Sequence, residues 1–158
     1  MLPITHLNYD LDIEKVLEIA NIIKPARKVY DNNMPNWTWA HVVQNPYLRK
    51  IKDDLDITGW IDFYFQESNS FVVPHIDPKS RCSVNFILTP DPAPITFYEN
   101  ARSKDDLGAP SNYCYTQAIL NTSKCHAVQT TDTERILLKI CSTEDYESVV
   151  LKLKNMVK

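Results

Sequence analysis

A chain of 158 residues with 44% hydrophobic and 23% charged residues has the size and composition of one globular domain, which excludes wholesale disorder. Its net charge of -3 provides no global basic field, so nucleic acid is not an expected partner. Gly59 and Gly108 are its only glycines, which excludes a dinucleotide fingerprint or a P-loop, each needing several glycines in one short loop.

No apolar run approaches the ~20 residues of a membrane helix, so no membrane association is expected. Met1-Leu2-Pro3-Ile4-Thr5-His6 has no basic stretch followed by an apolar one, so no secretory signal is expected either. Cys82, Cys114, Cys125 and Cys141 lack any CxxC spacing. Reduced thiols in a cytoplasmic protein are the expectation.

In chain order, the first predicted element is a helix over residues 12–24. Ile13, Val16, Leu17, Ala20 and Ile23 recur at the spacing of one buried face, Asp10 or Asp12 can cap the start, and Pro25 stops it. Trp37 and Trp39 form an aromatic cluster, expected to pack a helical layer onto a sheet. A second helix is predicted over 46–55, with Asn45 as N-cap and Pro46 at the first helical position.

From Ile57 the period changes to two. Trp60, Asp62, Tyr64 and Gln66 alternate with Ile61, Phe63 and Phe65, the pattern of a half-buried strand. Strands are predicted over 71–75, 81–88, 95–99, 113–120, 126–129 and 135–141. Turn chemistry separates them at Asp77-Pro78-Lys79-Ser80, Pro90-Asp91-Pro92-Ala93-Pro94 and Asn121-Thr122-Ser123-Lys124. Residues 104–110 read as a surface loop, and 143–157 as an amphipathic closing helix. The expected plan is mainly β with flanking helices, a jelly-roll or double-stranded β-helix barrel. It forms a single domain over 1–158, with a helical layer at 1–56, the jelly-roll core at 57–142 and a C-terminal helix at 143–158.

The segment Val73-Pro74-His75-Ile76-Asp77 carries the chemistry. In extended chain, positions i and i+2 point to one side, so His75 and Asp77 can aim an imidazole and a carboxylate at one point. His126, opening a late strand, supplies a third ligand. Two histidines and one carboxylate occupy one face of a metal and leave positions open, as in the facial triad of non-haem Fe(II) oxygenases. Arg135 opens the apolar strand Ile136-Leu137-Leu138-Lys139-Ile140. A guanidinium in a barrel core is costly unless an anion meets it, and it suits a bidentate carboxylate. The competing reading makes Asp77 to Ser80 a plain turn, and pairs Arg135 with Glu134 or Asp132 in solvent.

These residues together resemble the Fe(II)/2-oxoglutarate-dependent oxygenases. The stretch Asn121-Thr122-Ser123-Lys124-Cys125-His126-Ala127-Val128 also resembles the turn that carries their distal histidine. The resemblance covers about residues 60–141 and looks most like the small aspartyl/asparaginyl or proline hydroxylase-like branch. It implies a metal site at His75, Asp77 and His126, Fe(II) as cofactor, and 2-oxoglutarate and O2 as co-substrates. Arg135 would pair with the distal carboxylate, assisted by Tyr64, Asn85 or Thr133. The products would be succinate, CO2 and a hydroxylated small molecule or amino-acid or peptide side chain. Competing readings are a cupin-like metal-dependent enzyme without a keto-acid, a zinc hydrolase with the same ligands, and a non-catalytic jelly-roll binding module. Members of the family often have glycines in the barrel turns, where this chain has prolines.

Overall fold

The computed structural model describes residues 1–29, 34, 36–91, 94–100 and 106–158. Pro92, Ala93, Lys104 and Asp105, which the sequence assigns to a turn and a loop, lie outside the described residues.

The chain opens with β1 (Ile4–His6) and α1 (Ile13–Ile23), whose Asp12 cap accepts the Lys15 N–H. Val16 and Ala20 are its buried face. β2 (Lys28–Val29) and β3 (Trp37–His41) follow, then α2 (Pro46–Asp54), capped by Asn45 through the Leu48 N–H. Next come β4 (Gly59–Gln66), β5 (Val72–His75), β6 (Cys82–Ile87) and β7 (Ile95–Tyr98). β8 (Pro110–Tyr113), β9 (Gln117–Leu120), β10 (His126–Val128), β11 (Arg135–Ser142) and α3 (Tyr146–Lys152) complete it.

The strands form two antiparallel sheets. The larger has the order β1-β9-β6-β11-β4-β3-β2, and the smaller β5-β10-β7-β8. One face of the large sheet presents Phe63, Phe65, Phe86, Leu138 and Ile140 to Val16, Leu48, Ile51 and Val149 of the helices. Its other face packs Ile87, Leu120 and Leu137 against Val72, Ile95 and Phe97 of the small sheet. Each fully buried side chain of this size contributes about 1.5–3 kcal/mol by leaving water. The result is the predicted jelly roll, a helical layer backing two sheets that enclose a cavity. No helix among the described residues is long and apolar enough to cross a membrane.

Gly59 lets β4 approach β11. A Cβ there would lie 1.9 Å from the Cys141 carbonyl oxygen, so only glycine fits the Ser142–Gly59 end of the ladder.

The structure corrects the sequence reading in four places. Residues 1–56 contribute β1, β2 and β3 to the large sheet as well as two helices. β1 and β2 have three and two residues, too few for a period to show. β4 is covered on both faces rather than one, because its polar face looks into the cavity. The strand predicted over 113–120 is two strands, since the chain leaves β7 in the small sheet to join β6 in the large one. The closing helix is shorter than predicted: it ends at Lys152 and gives way to a 3-10 turn at Lys154–Met156.

Candidate active site

β5 ends on His75, and two residues later the Asp77 N–H donates to the Thr122 carbonyl at 3.2 Å. β10 pairs with β5 so that His126 stands opposite His75. Asp77 Oδ1 thereby lies 3.2 Å from His75 Nε2 and 3.4 Å from His126 Nε2. One donor atom from each of the three residues lies within 4.8 Å of the other two.

The histidine tautomers are set by the backbone. His75 Nδ1 donates to the Val73 carbonyl and His126 Nδ1 to the Lys124 carbonyl, both at 2.8 Å. A carbonyl only accepts, so each neutral ring keeps its Nε2 lone pair, the form a metal needs. Burial lowers the His126 pKa and favours that neutral form.

Asp77 is held from behind. Its Oδ2 accepts from Lys139 Nζ at 2.5 Å and from Ser80 Oγ at 3.1 Å. Burial alone would raise the carboxyl pKa, but the Lys139 ammonium outweighs it and holds the group far below the usual carboxylate range. Burial likewise opposes the Lys139 charge, and Asp77 outweighs it, so the ammonium pKa is raised.

Arg135 faces the same cavity from the start of β11 and is 1% exposed. Its Nη2 donates to the Tyr115 hydroxyl at 3.1 Å, while Nε and Nη1 have no hydrogen-bond partner among the described residues. Asn85 Nδ2 donates to the same hydroxyl at 3.1 Å. The Tyr115 oxygen thus accepts twice, and its own O–H is left to donate into the cavity. Unpartnered N–H groups on a buried cation are costly, and a carboxylate in the cavity is the acceptor that suits them.

The cavity has a volume of about 490 Å³ and joins the His75–Asp77–His126 cluster to Arg135 and Tyr115. Toward β3 and β4 its wall is Trp39, Trp60 and Tyr64.

No family model matches the sequence, and no curated protein does. Solved structures do. SnoN, the non-haem α-ketoglutarate-dependent epimerase of nogalamycin biosynthesis, superimposes with a TM-score of 0.64 at 10% identity, over 87% of this chain and 76% of that one. A prolyl-4-hydroxylase from Pseudomonas putida gives 0.58 at 12% identity, over 87% and 90%. An oxidoreductase of the 2OG-Fe(II) oxygenase family from Burkholderia pseudomallei gives 0.53 at 15% identity, over 85% and 81%. The chain has the 2-oxoglutarate/Fe(II) oxygenase fold.

Within that fold, the three residues expected to hold metal stand together, and Arg135 shares their cavity. Asn85 lines the cavity and reaches Arg135 through Tyr115 rather than directly. Tyr64 lines the cavity beside Lys139, whose Nζ lies 5.2 Å from its ring centre. Thr133 is exposed on the turn before β11, outside the cavity lining. Glu134 pairs with Lys24, not with Arg135. Trp37 and Trp39 belong to β3 and line the cavity, whereas the sequence reading gave them to helix packing.

Tyr115, Lys139 and the pair His41–Asp62 escaped the sequence reading. Lys139 did leave a signal. It shares the parity of Arg135 and Leu137 on β11, so a lysine sits on the inward face of an apolar strand. Tyr115 lies between strands and left none.

Proposed function

We propose that the chain is an Fe(II)- and 2-oxoglutarate-dependent oxygenase. The observation that carries this reading is Arg135: a buried guanidinium with two unpartnered nitrogens, in one cavity with a His-Asp-His cluster. His75 Nε2, Asp77 Oδ1 and His126 Nε2 would hold the metal. Three protein donors leave the remaining positions for a chelating co-substrate and O2. With Fe(II) and 2-oxoglutarate bound, the site supplies oxidation of a substrate C–H by O2. Substrate, 2-oxoglutarate and O2 give the hydroxylated product, succinate and CO2.

The chain's own residues do the rest. Arg135 would pair with the distal carboxylate through its unpartnered N–H groups, and the Tyr115 O–H would add a further donor. Asn85 keeps that hydroxyl aimed, and Lys139 keeps Asp77 ionised with one oxygen forward. Leu137, Ile95 and Val128 line the cavity with apolar surface and limit water.

The prime substrate in this reading is a small molecule or an amino-acid or peptide side chain, with no nucleic-acid or membrane partner. The 158 residues act as one domain, since β1 and β11 belong to one sheet. We place it in the cytoplasm, where the buried thiols of Cys82, Cys125 and Cys141 stay reduced.

Anaerobic titration of the protein with Fe(II) and then 2-oxoglutarate tests the reading. The expected result is a weak visible charge-transfer band that requires both. Bound iron without a band on adding 2-oxoglutarate would remove the co-substrate and revive a keto-acid-free metalloenzyme. Failure to bind metal would leave a binding module.

A further inference from the structure

One buried acid in the cavity has no role in holding metal or co-substrate. Asp62, on the inward face of β4, is 4% exposed. Its Oδ1 accepts from His41 Nδ1 at 2.8 Å and its Oδ2 from Trp60 Nε1 at 2.9 Å. The Cys141 thiol also donates to Oδ2, at 4.0 Å. A carboxylate offers about four acceptor sites, so these donors leave capacity for another. Among the described residues, its only ion-pair partner is His41, whose side chain is 46% exposed.

The register explains what surrounds it. His41 stands opposite Asp62 on β3, and Lys139 opposite it on β11. Trp60 and Tyr64 flank Asp62 on its own strand, and Trp39 stands opposite Tyr64. All of these line the cavity. Three electron-rich rings therefore frame one carboxylate. The Lys139 ammonium is bonded to Asp77, and Arg135 enters the sheet four residues earlier on β11, opposite Gln66. Lys79 lines the cavity but is exposed.

We propose that Asp62, framed by Trp39, Trp60 and Tyr64, forms the prime-substrate subsite for a cationic group, a protonated amine or a guanidinium. The inference rests on the oxygenase reading for the words prime substrate. A cation would give the buried carboxylate a permanent counter-charge beside His41, and aromatic faces attract it through their quadrupoles. Anionic groups are repelled there. Lys139 spans the two sites, opposite Asp62 in the ladder and bonded to Asp77. A group seated at Asp62 is thus one lysine side chain from the metal cluster, and the rest of the substrate can present a C–H to it.

The protein carries its own reporter, since its three tryptophans, Trp37, Trp39 and Trp60, all line this cavity. Intrinsic fluorescence would be titrated with Nα-acetyl-lysine amide, Nα-acetyl-arginine amide and the neutral Nα-acetyl-norleucine amide. Each titration is run on the anaerobic Fe(II)/2-oxoglutarate protein and on the metal-free protein. At least one cationic probe is expected to bind ten-fold or more tighter than the neutral one. Asp62→Asn should abolish that preference and leave the charge-transfer band in place. His41→Lys, at a half-exposed position, should abolish it too, by placing a permanent cation beside Asp62. Equal binding of all probes, no binding of any, or a cation preference that survives both variants would overturn the subsite. A cation preference without any charge-transfer band would instead overturn the oxygenase reading and leave the cation site standing.

Discussion

Lys139 and Asp77, sixty-two positions apart in the chain, are joined by a 2.5 Å contact from Nζ to Oδ2. This contact decides which carboxylate oxygen faces His75 and His126. With Oδ2 taken by Lys139 and Ser80, only Oδ1 is presented to the imidazoles. The site is preorganised as a one-oxygen donor, and the acid's charge is balanced before any metal arrives.

Lys139→Met should therefore destabilise the metal-free protein. It leaves a buried carboxylate without its counter-charge, a loss of about 3–5 kcal/mol. Chemical denaturation would measure it, and Asp77→Asn in the same background should recover most of the loss. The pH dependence has a definite sign. The folded Asp77 pKa is lowered from 3.8, because the Lys139 ammonium outweighs burial. Its stabilising contribution is complete above the unfolded value and is lost as pH falls below it. Wild-type stability should fall with acidification below about pH 4, and the Lys139→Met variant should show a flatter slope there.

Arg135→Ala should abolish co-substrate binding without removing the metal. Truncating one partner of a buried charge pair costs about 2–5 kcal/mol, a loss of roughly 30-fold to several thousand-fold in affinity. Arg135→Lys should recover part of it, because a point charge replaces the fork. The charge-transfer band, titrated with 2-oxoglutarate at saturating Fe(II), measures both. Unchanged affinity in Arg135→Ala would detach the arginine from the co-substrate.

Tyr115→Phe should weaken 2-oxoglutarate binding by about ten-fold, the worth of a hydrogen bond of ~1–1.5 kcal/mol. Asn85→Ala should have a smaller effect, since Asn85 acts only through the Tyr115 hydroxyl. A double variant losing no more than Tyr115→Phe alone would show that the two act in series. The same titration reads all three.

A thiol-reactive disulfide reagent at pH 8 should modify one cysteine rapidly in the folded protein. Cys114 is exposed, while Cys82, Cys125 and Cys141 are buried. Burial pushes the Cys82 thiol up to about 11 and the Cys141 thiol to about 12, so neither forms appreciable thiolate at that pH. Absorbance of the released thiolate gives the count, and the remaining three should react only on unfolding.

Local chemistry was legible from the residues alone. The alternation from Trp60 to Gln66 marks β4, because side chains of a strand alternate between faces. Asn45-Pro46 marks the start of α2, because a helix N-terminus has orphan N–H groups and proline lacks one. His75-x-Asp77 is legible because positions i and i+2 of an extended chain share a side, and Arg135 because a guanidinium opening an apolar strand needs an anion. What tertiary structure alone decided is pairing across the fold. Tyr115 meets Arg135 across twenty positions, and Asp62 meets His41 across twenty-one. β3 looked like helix packing until the ladder with β4 placed its Trp-x-Trp-x-His face in the cavity. Sequence spacing sets which face a side chain occupies within one strand. Strand order and register set what stands opposite it, and those follow from packing two sheets and a helical layer around one core.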